Sequence, residues 1–270
     1  HNALDLCVEC KGCKLECPSG VDMAKLKAEV LSKYNAAHGL SLRTKFFSQL
    51  NGFSKLGSMF APLSNWMGKV PLARLALRVL LGIHPKRPLP QFSRITFSNW
   101  FKKTKSRNIG RTFKGEVVLF HDTYMEYYYP QVGKAAVNVL EAFGYRVLLV
   151  NQKNCCGRPL ISKGILDKAK DLAKANIDIL LPYVRRGAVI VGTEPSCLLT
   201  FRDEYMDLLG NDSAALLAKN TFMLDEFLAQ VLAEDPDASN VFNEESLDTL
   251  QLHGHCHQKS LSGIEHTFSI

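Results

Sequence analysis

The fold is indicated most clearly by residues 189–197, which read Val-Ile-Val-Gly-Thr-Glu-Pro-Ser-Cys. A short run of small and branched apolar residues predicts a buried strand, and the turn after it ends in a thiol. Two similar runs, Val117–Phe120 and Val147–Val150, predict two more strands, and a fourth is expected near Leu250–His253. Segments with helical periodicity lie between and after these runs, at Pro130–Phe143, Lys163–Val184, Ser196–Leu209 and Ser213–Leu232. Strands that alternate with such helices predict a parallel sheet covered on both faces.

Thiol or polar side chains follow each of the four predicted strands. The strand ends lead to His121-Asp122-Thr123, Asn154-Cys155-Cys156-Gly157, Glu194-Pro195-Ser196-Cys197 and His253-Gly254-His255-Cys256-His257. Function gathers at the carboxyl ends of the strands in folds of this class. We therefore expect metal ligands at this edge, and the candidates are Cys155, Cys156, Cys197, Cys256, His121 and His255. Two plainer interpretations stay open: the adjacent cysteines are small buried thiols, and the histidine run only forms hydrogen bonds.

The most specific motif is formed by four cysteines near the amino end. Cys7, Cys10, Cys13 and Cys17 have the spacing C-x2-C-x2-C-x3-C, and Pro18 follows the last of them. This spacing is typical of thiolates that hold a [4Fe–4S] cluster. Zinc needs only C-x2-C pairs, and it explains neither the third cysteine at the same interval nor the Cys-Pro step. The motif therefore predicts a [4Fe–4S] cluster bound by these four cysteines, with zinc as the alternative.

The cysteine that precedes the proline is expected to differ from the other three. In two-cluster ferredoxins this cysteine ligates the other cluster, and Pro18 fixes the local backbone so that Cys17 points away from its neighbours. We therefore expect further cysteines upstream of His1. The start at His1, instead of Met, also suggests that the chain is cut from a longer protein.

Composition excludes several classes of protein. The 270 residues are 46% hydrophobic and 22% charged, which is too apolar for a disordered chain. We find no apolar run long enough for a membrane-spanning helix and no signal peptide. Clustered thiols without an export signal indicate metal in a reducing compartment rather than a secreted disulfide scaffold. The expected location is therefore cytoplasmic.

Charge divides the chain into two unlike halves. Residues 1–112 carry 19 Lys and Arg against 5 Asp and Glu, whereas residues 113–270 carry 14 against 21. A basic half is able to face anionic lipid or an acidic partner domain, but no zinc-finger, RNP or helix-turn-helix signature points to nucleic acid. The apolar helix predicted at Leu72–Leu81, with Arg74 and Arg78, either lies on a membrane surface or packs on a partner.

These observations predict three domains and the fold class α + α/β. Residues 1–34 form a helical ferredoxin-like [4Fe–4S] segment, whose helix at Val21–Tyr34 is capped by Asp22. Residues 35–112 form a basic helical linker region. Residues 113–270 form a parallel-sheet α/β module.

The motifs resemble a family of iron–sulfur oxidoreductases. The resemblance rests on the ferredoxin motif and on the phrases Cys155-Cys-Gly-Arg-Pro-Leu-Ile-Ser162, Val191–Tyr205 and His253–Lys259. They are similar to the iron–sulfur subunits of glycolate oxidase, lactate utilisation and anaerobic glycerol-3-phosphate dehydrogenase. They look most like the Cys-Cys-Gly portion of FAD-binding and (Fe–S)-binding fusion oxidoreductases, which are related to D-lactate and D-2-hydroxyglutarate dehydrogenases.

The resemblance implies a division of labour with an FAD-binding oxidase domain or subunit outside this chain. The FAD takes a hydride from a 2-hydroxy acid, so no catalytic residue is expected here. This module then passes electrons singly to a quinone or a soluble carrier. A peripheral position on the inner face of the membrane suits a quinone acceptor.

The resemblance also implies that Cys256 opens a second repeat, which is incomplete within residues 113–270, so we expect truncation at both ends.

The family pattern is incomplete at the Cys-Cys-Gly site as well. Thr123 stands where the family has a thiol, so Cys155, Cys156 and Cys197 bind zinc or a second iron–sulfur group with His121 or Asp122, or bind nothing. Two further functions stay open: a thiol/disulfide redox module like heterodisulfide reductase, and a non-catalytic, zinc-bound docking scaffold.

Overall fold

Helices make up most of this structure, a computed structural model that describes residues 4, 6–104, 112–150, 154–241 and 249–270. The first part of the chain contains α1 (Gly12–Glu16), α2 (Met23–His38), α3 (Leu42–Ser48), α4 (Leu50–Met59), α5 (Ala61–Met67), α6 (Pro71–Leu81) and α7 (Phe97–Thr104). The next part contains β1 (Gly115–Leu119), α8 (Thr123–Tyr127), α9 (Pro130–Ala142), β2 (Tyr145–Leu148), α10 (Arg158–Ile161), α11 (Leu166–Val184) and β3 (Val189–Gly192). The last part contains α12 (Pro195–Arg202), α13 (Glu204–Leu209), α14 (Asp212–Lys219), β4 (Thr221–Met223), α15 (Leu224–Glu234), a 3-10 helix (Pro236–Val241), α16 (Cys256–Leu261) and α17 (Glu265–Ser269).

The four strands form one parallel sheet in the order β2-β1-β3-β4. Val117 pairs with Val147 on one side and with Val189 on the other, which places β1 inside the sheet. Side chains alternate between the faces of a strand. Accordingly Val118 packs into one buried apolar cluster, whereas Val117 packs into a second. The predicted parallel sheet with helices on both faces is therefore confirmed.

The fourth strand is not the one that the sequence predicts. Within the described residues 249–255 there is no strand, and Leu250 is 76% exposed. The sheet instead ends with β4, which interrupts the single helix predicted over Ser213–Leu232. Thr221 is 1% exposed, and it pairs with Ile190 of β3. The helical periodicity on either side conceals this short strand, because three residues are too few to produce a pattern of their own.

The helix predicted over Ser196–Leu209 is also divided in two. Asp203 separates α12 from α13, with backbone angles of φ −115° and ψ −72°. Its carboxylate accepts hydrogen bonds from Lys11 and Lys14, far away along the chain. The break therefore coincides with a tertiary contact that periodicity does not reveal.

The helix α2 joins the first part of the chain to the sheet. Asp22 caps it, as predicted, by accepting a hydrogen bond of 3.0 Å from the backbone N–H of Lys25. Ala28 packs with Ile161 in a small buried cluster. Gly164, at φ +67°, passes so close to α2 that a Cβ there would lie 2.5 Å from the backbone nitrogen of Ser32. Only glycine combines this backbone conformation with so close an approach.

The helices α3 to α6 carry the basic region that precedes the sheet. The apolar helix predicted at Leu72–Leu81 is present as α6. Many large apolar side chains on these helices are exposed, including Leu72 at 75% and Trp66 at 62%. Across the described parts of the chain, no helix has both the length and the apolar character needed to cross a bilayer.

Candidate functional site

The four amino-terminal cysteines lie on a tightly curved loop around α1. All four are free of disulfides and partly buried. Glu9 and Lys11 adopt left-handed backbone angles, with φ of 59° and 60°, although neither is glycine. This conformation costs roughly 1–2 kcal/mol per residue and persists only where surrounding contacts hold it. The loop is therefore shaped by its contacts with the rest of the molecule.

Backbone N–H groups point at two of the four sulfurs. Met23 donates its N–H to Sγ of Cys13 over 3.3 Å. Hydrogen bonds from the backbone of Val21 and Ser19 lower the pKa of the Cys17 thiol. Such bonds stabilise the thiolate, which is the form that binds metal, and they also surround the ligands of iron–sulfur clusters. The chemistry of this donor set fits the predicted cluster.

A buried lysine fastens the loop to the α/β part of the chain. Lys11 is 2% exposed, and its Nζ lies 2.7 Å from Oε1 of Glu204 and 3.4 Å from Oδ2 of Asp22. It also binds Asp203. Burial alone would lower the pKa of Lys11, but Glu204 and Asp203 outweigh it and hold the pKa above its ordinary value. Lys11 is therefore a permanent cation inside a cluster of carboxylates.

Arg158, directly after the Cys155-Cys156-Gly157 turn, extends this network. Its Nη1 binds Glu204, and its Nη2 lies 3.3 Å from Oε2 of Glu9 and 3.1 Å from Nε2 of His257. His257 in turn lies 2.7 Å from the carbonyl oxygen of Glu9. Burial and the Arg158 charge lower the pKa of His257.

Lys27 completes the network beneath the loop. Its Nζ donates to the carbonyl of Cys7 over 2.7 Å and lies 3.4 Å from Oε1 of Glu9. Four sequence motifs thus meet in one network of buried charge, whose members are Glu9, Lys11, Lys27, Arg158, Asp203, Glu204 and His257. We call these seven residues the anchoring network. The sequence motifs did not predict it, although six of the seven residues lie inside or beside them.

A pair of thiols lies at the carboxyl edge of the sheet. Sγ of Cys156 and Sγ of Cys197 are 3.1 Å apart, and the two cysteines do not form a disulfide. The hydrogen bond from Cys156 lowers the pKa of Cys197, but burial and the nearby carboxylates Asp122 and Glu194 outweigh it and raise the pKa to about 11. The pKa of Cys156 is also well above its ordinary value. Without a metal both groups are therefore neutral thiols near pH 7.

The backbone of the Cys-Cys-Gly turn is held by two buried polar side chains. Asn176 donates through Nδ2 to the carbonyl of Cys155 over 2.8 Å and to the hydroxyl of Tyr205 over 2.9 Å. Tyr205 donates to the carbonyl of Cys156 over 2.9 Å. Gly157 ends the turn at φ +93°, where glycine has no steric cost. These hydrogen bonds to the backbone fix the position of both cysteines.

The residues that follow β1 were predicted to help ligate a metal, but the structure shows other contacts for them. His121 is 5% exposed, and its Nε2 lies 3.7 Å from Oε2 of Glu126. Asp122 caps α8 by accepting from the N–H groups of Tyr124 and Met125. Because the carboxylate of Asp122 already serves as a helix cap, it is a poor replacement for the missing cysteine ligand at position 123.

The last predicted ligands lie at the surface. Cys256 and His255 are exposed, and Nδ1 of His255 accepts the N–H of His257 at the start of α16. Within the part of the chain that the structure describes, no three His, Cys, Asp or Glu side chains are gathered closely enough to hold a metal ion. Metal binding by Cys7, Cys10, Cys13 and Cys17 would therefore require these side chains to turn toward a common centre.

Comparison with a protein-family model identifies the central part of the chain. The model of the cysteine-rich (CCG) domain matches residues 118–202. This match runs from β1 to the end of α12 and includes Cys155, Cys156 and Cys197. No solved structure matches the chain.

Curated proteins extend the similarity beyond this domain. One subunit of the anaerobic glycerol-3-phosphate dehydrogenase of Escherichia coli K12 is 32% identical over 200 residues, which are 74% of this chain and 50% of that protein. D-2-hydroxyglutarate dehydrogenase of the same organism is 25% identical over 264 residues, 94% of this chain and 25% of that protein. Lactate utilization protein A of an Exiguobacterium species is 32% identical over 154 residues, 55% of this chain and 60% of that protein. The chain spans about half the length of the first of these relatives and about a quarter of the second.

Proposed function

We propose that this chain, which carries a cysteine-rich CCG domain and is similar to parts of two dehydrogenases and of a lactate utilization protein, is the electron-transfer iron–sulfur module of an oxidoreductase. The reaction is oxidation of a 2-hydroxy acid, such as D-lactate, D-2-hydroxyglutarate or glycolate, on an FAD-binding partner domain or subunit. The module passes the electrons to a quinone or a soluble carrier. The proposal rests mainly on the anchoring network, which holds the cysteine loop against the cysteine-rich domain.

The proposed [4Fe–4S] ligands are Cys7, Cys10, Cys13 and Cys17, of which Cys17 is expected to ligate a second cluster, as in two-cluster ferredoxins. Such a cluster supplies one-electron transfer between a two-electron flavin and an acceptor. Met23 donates its N–H to the sulfur of Cys13, and the Lys11 and Lys14 charges lie on the same loop. Hydrogen bonds and positive charge next to thiolates stabilise added negative charge, which raises a reduction potential. We also propose that residues 1–34 form the cluster-binding segment, residues 35–112 the basic helical linker region and residues 113–270 the α/β domain.

The second site is proposed as an incomplete one. Cys155, Cys156 and Cys197 bring three thiols to the sheet edge, but Thr123 donates its hydroxyl to Asn51 instead of supplying a fourth. We expect zinc or a partial iron–sulfur group at this site, and no complete pair of iron–sulfur clusters. Cys256 and His255 would join a metal site only with residues from outside this chain.

Flavin kinetics test the proposal directly. Cys10→Ser, made in the complete protein with its flavin partner, should leave reduction of the flavin by substrate nearly unchanged and slow its reoxidation by the acceptor. Lys33→Gln is the control, because Lys33 is an exposed residue of α2 that belongs to none of the proposed metal sites. Stopped-flow absorbance resolves the two half-reactions. Equal loss of both in Cys10→Ser would mean that the cluster is structural.

Metal analysis separates the two other functions. The 3.1 Å contact between Cys156 and Cys197 favours a thiol/disulfide redox module. The raised pKa of both thiols argues against it, because the thiolate is the nucleophile. A zinc-bound docking scaffold would contain zinc and no iron. Iron and sulfide in anaerobically purified protein would support electron transfer over both.

The basic region is proposed as a surface that contacts anionic lipid. No Asp or Glu occurs between Glu29 and Glu116, a stretch that carries 16 Lys and Arg. The same stretch exposes Trp66, Leu72 and Val79. Exposed apolar side chains among cations are typical of proteins that bind at a membrane interface. We therefore propose a cytoplasmic location, peripheral on the inner face of the membrane.

A further inference from the structure

A cavity of about 560 Å³ lies between the basic helices and the carboxyl end of β1. Its volume is within the range of pockets that bind small molecules. One wall comes from α4 and another from α7 with the residues before it. The third comes from the end of β1 and α8, where His121 and Glu126 are located. The cavity therefore joins the basic region to the cysteine-rich domain, and its walls include none of the residues of the anchoring network.

Three cations line this cavity and have no counterion. Lys55, Arg94 and Lys102 come from three separate places in the chain. Among the residues that the structure describes, none of the three forms a salt bridge, although cations elsewhere in the molecule do. Positive charges around one cavity repel one another. An anion bound between them would attract all three cations and would offset that repulsion.

The carboxylate in the cavity wall does not neutralise these cations. Glu126 is 8% exposed and accepts hydrogen bonds from the N–H and the hydroxyl of Ser98, over 3.1 and 2.6 Å. Its Oε2 also lies 3.7 Å from Nε2 of His121. Glu126 is thus turned into the wall, and the net charge around the cavity stays positive.

Neutral hydrogen-bond donors complete the lining. Asn51 uses its Oδ1 to accept the hydroxyl of Thr123 over 3.0 Å, which leaves its Nδ2 donor without a protein partner in the described residues. Asn99 and Thr96 also line the cavity. Amide and hydroxyl donors between cations match the oxygen atoms of carboxylate and phosphate groups.

We propose that this cavity binds a small organic anion with two or more negative charges on carboxylate or phosphate oxygens. Arg94 suits one such group, because a guanidinium donates two parallel hydrogen bonds to one oxyanion. Lys55 and Lys102 bind a second carboxylate or phosphate group of the same anion as point charges. A bound anion would bridge the basic region and the cysteine-rich domain. This site does not depend on the proposed [4Fe–4S] cluster, since none of its lining residues belongs to the amino-terminal cysteine motif.

Titration calorimetry with two probes tests the site on the cluster-loaded full chain. The probes are succinate, a dicarboxylate, and inorganic phosphate, and glycerol is the uncharged control. Saturable binding of succinate alone assigns the site to carboxylates, and binding of phosphate alone assigns it to phosphate groups. Affinity should fall as salt is added, because the cations are exposed to solvent. Absence of binding by both probes at millimolar concentration would overturn the proposal.

Charge-removing variants show whether binding occurs in this cavity. Arg94→Gln, Lys55→Gln and Lys102→Gln should each weaken binding about tenfold or more, the effect of losing a charge-assisted hydrogen bond. Lys103→Gln is the matched control, because Lys103 is the next residue on α7, is exposed and does not line the cavity. The three lining cations are exposed, so thermal unfolding without anion should be unchanged in each variant. Equal weakening by Lys103→Gln would mean that the anion binds to surface charge, and the proposal would be wrong.

Discussion

Nζ of Lys11 lies 2.7 Å from Oε1 of Glu204, and this ion pair joins the loop of the amino-terminal cysteines to the start of α13. Both side chains are almost completely buried, at 2% and 9% exposure. A buried ion pair contributes little net stability in itself, but removal of one partner leaves an uncompensated charge. The contact therefore matters most for the position of the loop.

Glu204→Gln should destabilise the protein and release the cysteine loop. Lys11 and Arg158 would both lose their shared carboxylate but keep Asp203 and Glu9, so we expect the free energy of unfolding to fall by about 1–3 kcal/mol. Urea denaturation measures this loss, and iron content reports the state of the loop. Asp207→Asn is the control, because it breaks an exposed ion pair with Lys25 and should cost at most about 1 kcal/mol. Similar losses in both variants would contradict the anchoring role.

Alkylation of the cluster-free protein should follow the order of the thiol pKa values. The pKa of Cys17 is lowered and that of Cys197 is raised to about 11, so Cys17 forms the reactive thiolate at a lower pH. We expect iodoacetamide to modify Cys17 first as the pH rises, and Cys197 only in strong alkali or after unfolding. Peptide mass spectrometry assigns the sites. In urea all eight cysteines should react alike, and a native protein that behaves the same way would refute the prediction.

Stability should fall in acid through Glu226. Burial alone would raise the pKa of this carboxyl group, but hydrogen bonds from Ser262, Arg202 and the backbone of Met223 outweigh it and lower the pKa. A carboxyl whose pKa is lower in the folded state contributes stability above its ordinary pKa of 4.5, and loses it as the pH falls through the folded value.

The variant Glu226→Gln isolates this contribution. The difference in unfolding free energy between wild type and variant should be largest near neutral pH and should shrink as the pH falls below the ordinary pKa of 4.5 and through the folded value. Guanidinium denaturation at several pH values measures it. A difference that does not change with pH would show that Glu226 is not the titrating group.

Binding to anionic vesicles should shift the fluorescence of Trp66. This ring is 62% exposed on α5, among cations and apolar side chains, whereas Trp100 is partly buried against the second apolar cluster. We expect a blue shift with anionic vesicles that weakens as salt screens the charges. Trp66→Phe should remove the shift while flotation with the vesicles persists. Equal binding to neutral vesicles, or no flotation at low salt, would leave the basic region as a surface for a protein partner.

The sequence was sufficient for the features that depend on local pattern. Three strands and the helices α2, α9 and α11 were predicted because a buried run or an apolar stripe has a fixed period along the chain. The helix cap at Asp22 follows from neighbouring residues in the same way. The [4Fe–4S] cluster stays a prediction, which rests on the spacing of the four amino-terminal cysteines along the chain.

Only the tertiary structure decided the features that join distant segments. The short strand β4 is stabilised by pairing with β3, and periodicity cannot display a strand of three residues. Lys11, Arg158 and Glu204 form one network only because the fold brings three motifs together. Likewise, Asp122 caps a helix, and only the fold brings its charge near the thiol of Cys197. Burial, ion pairing and register act between residues that are close in space, and their separation along the chain carries no sign of that proximity.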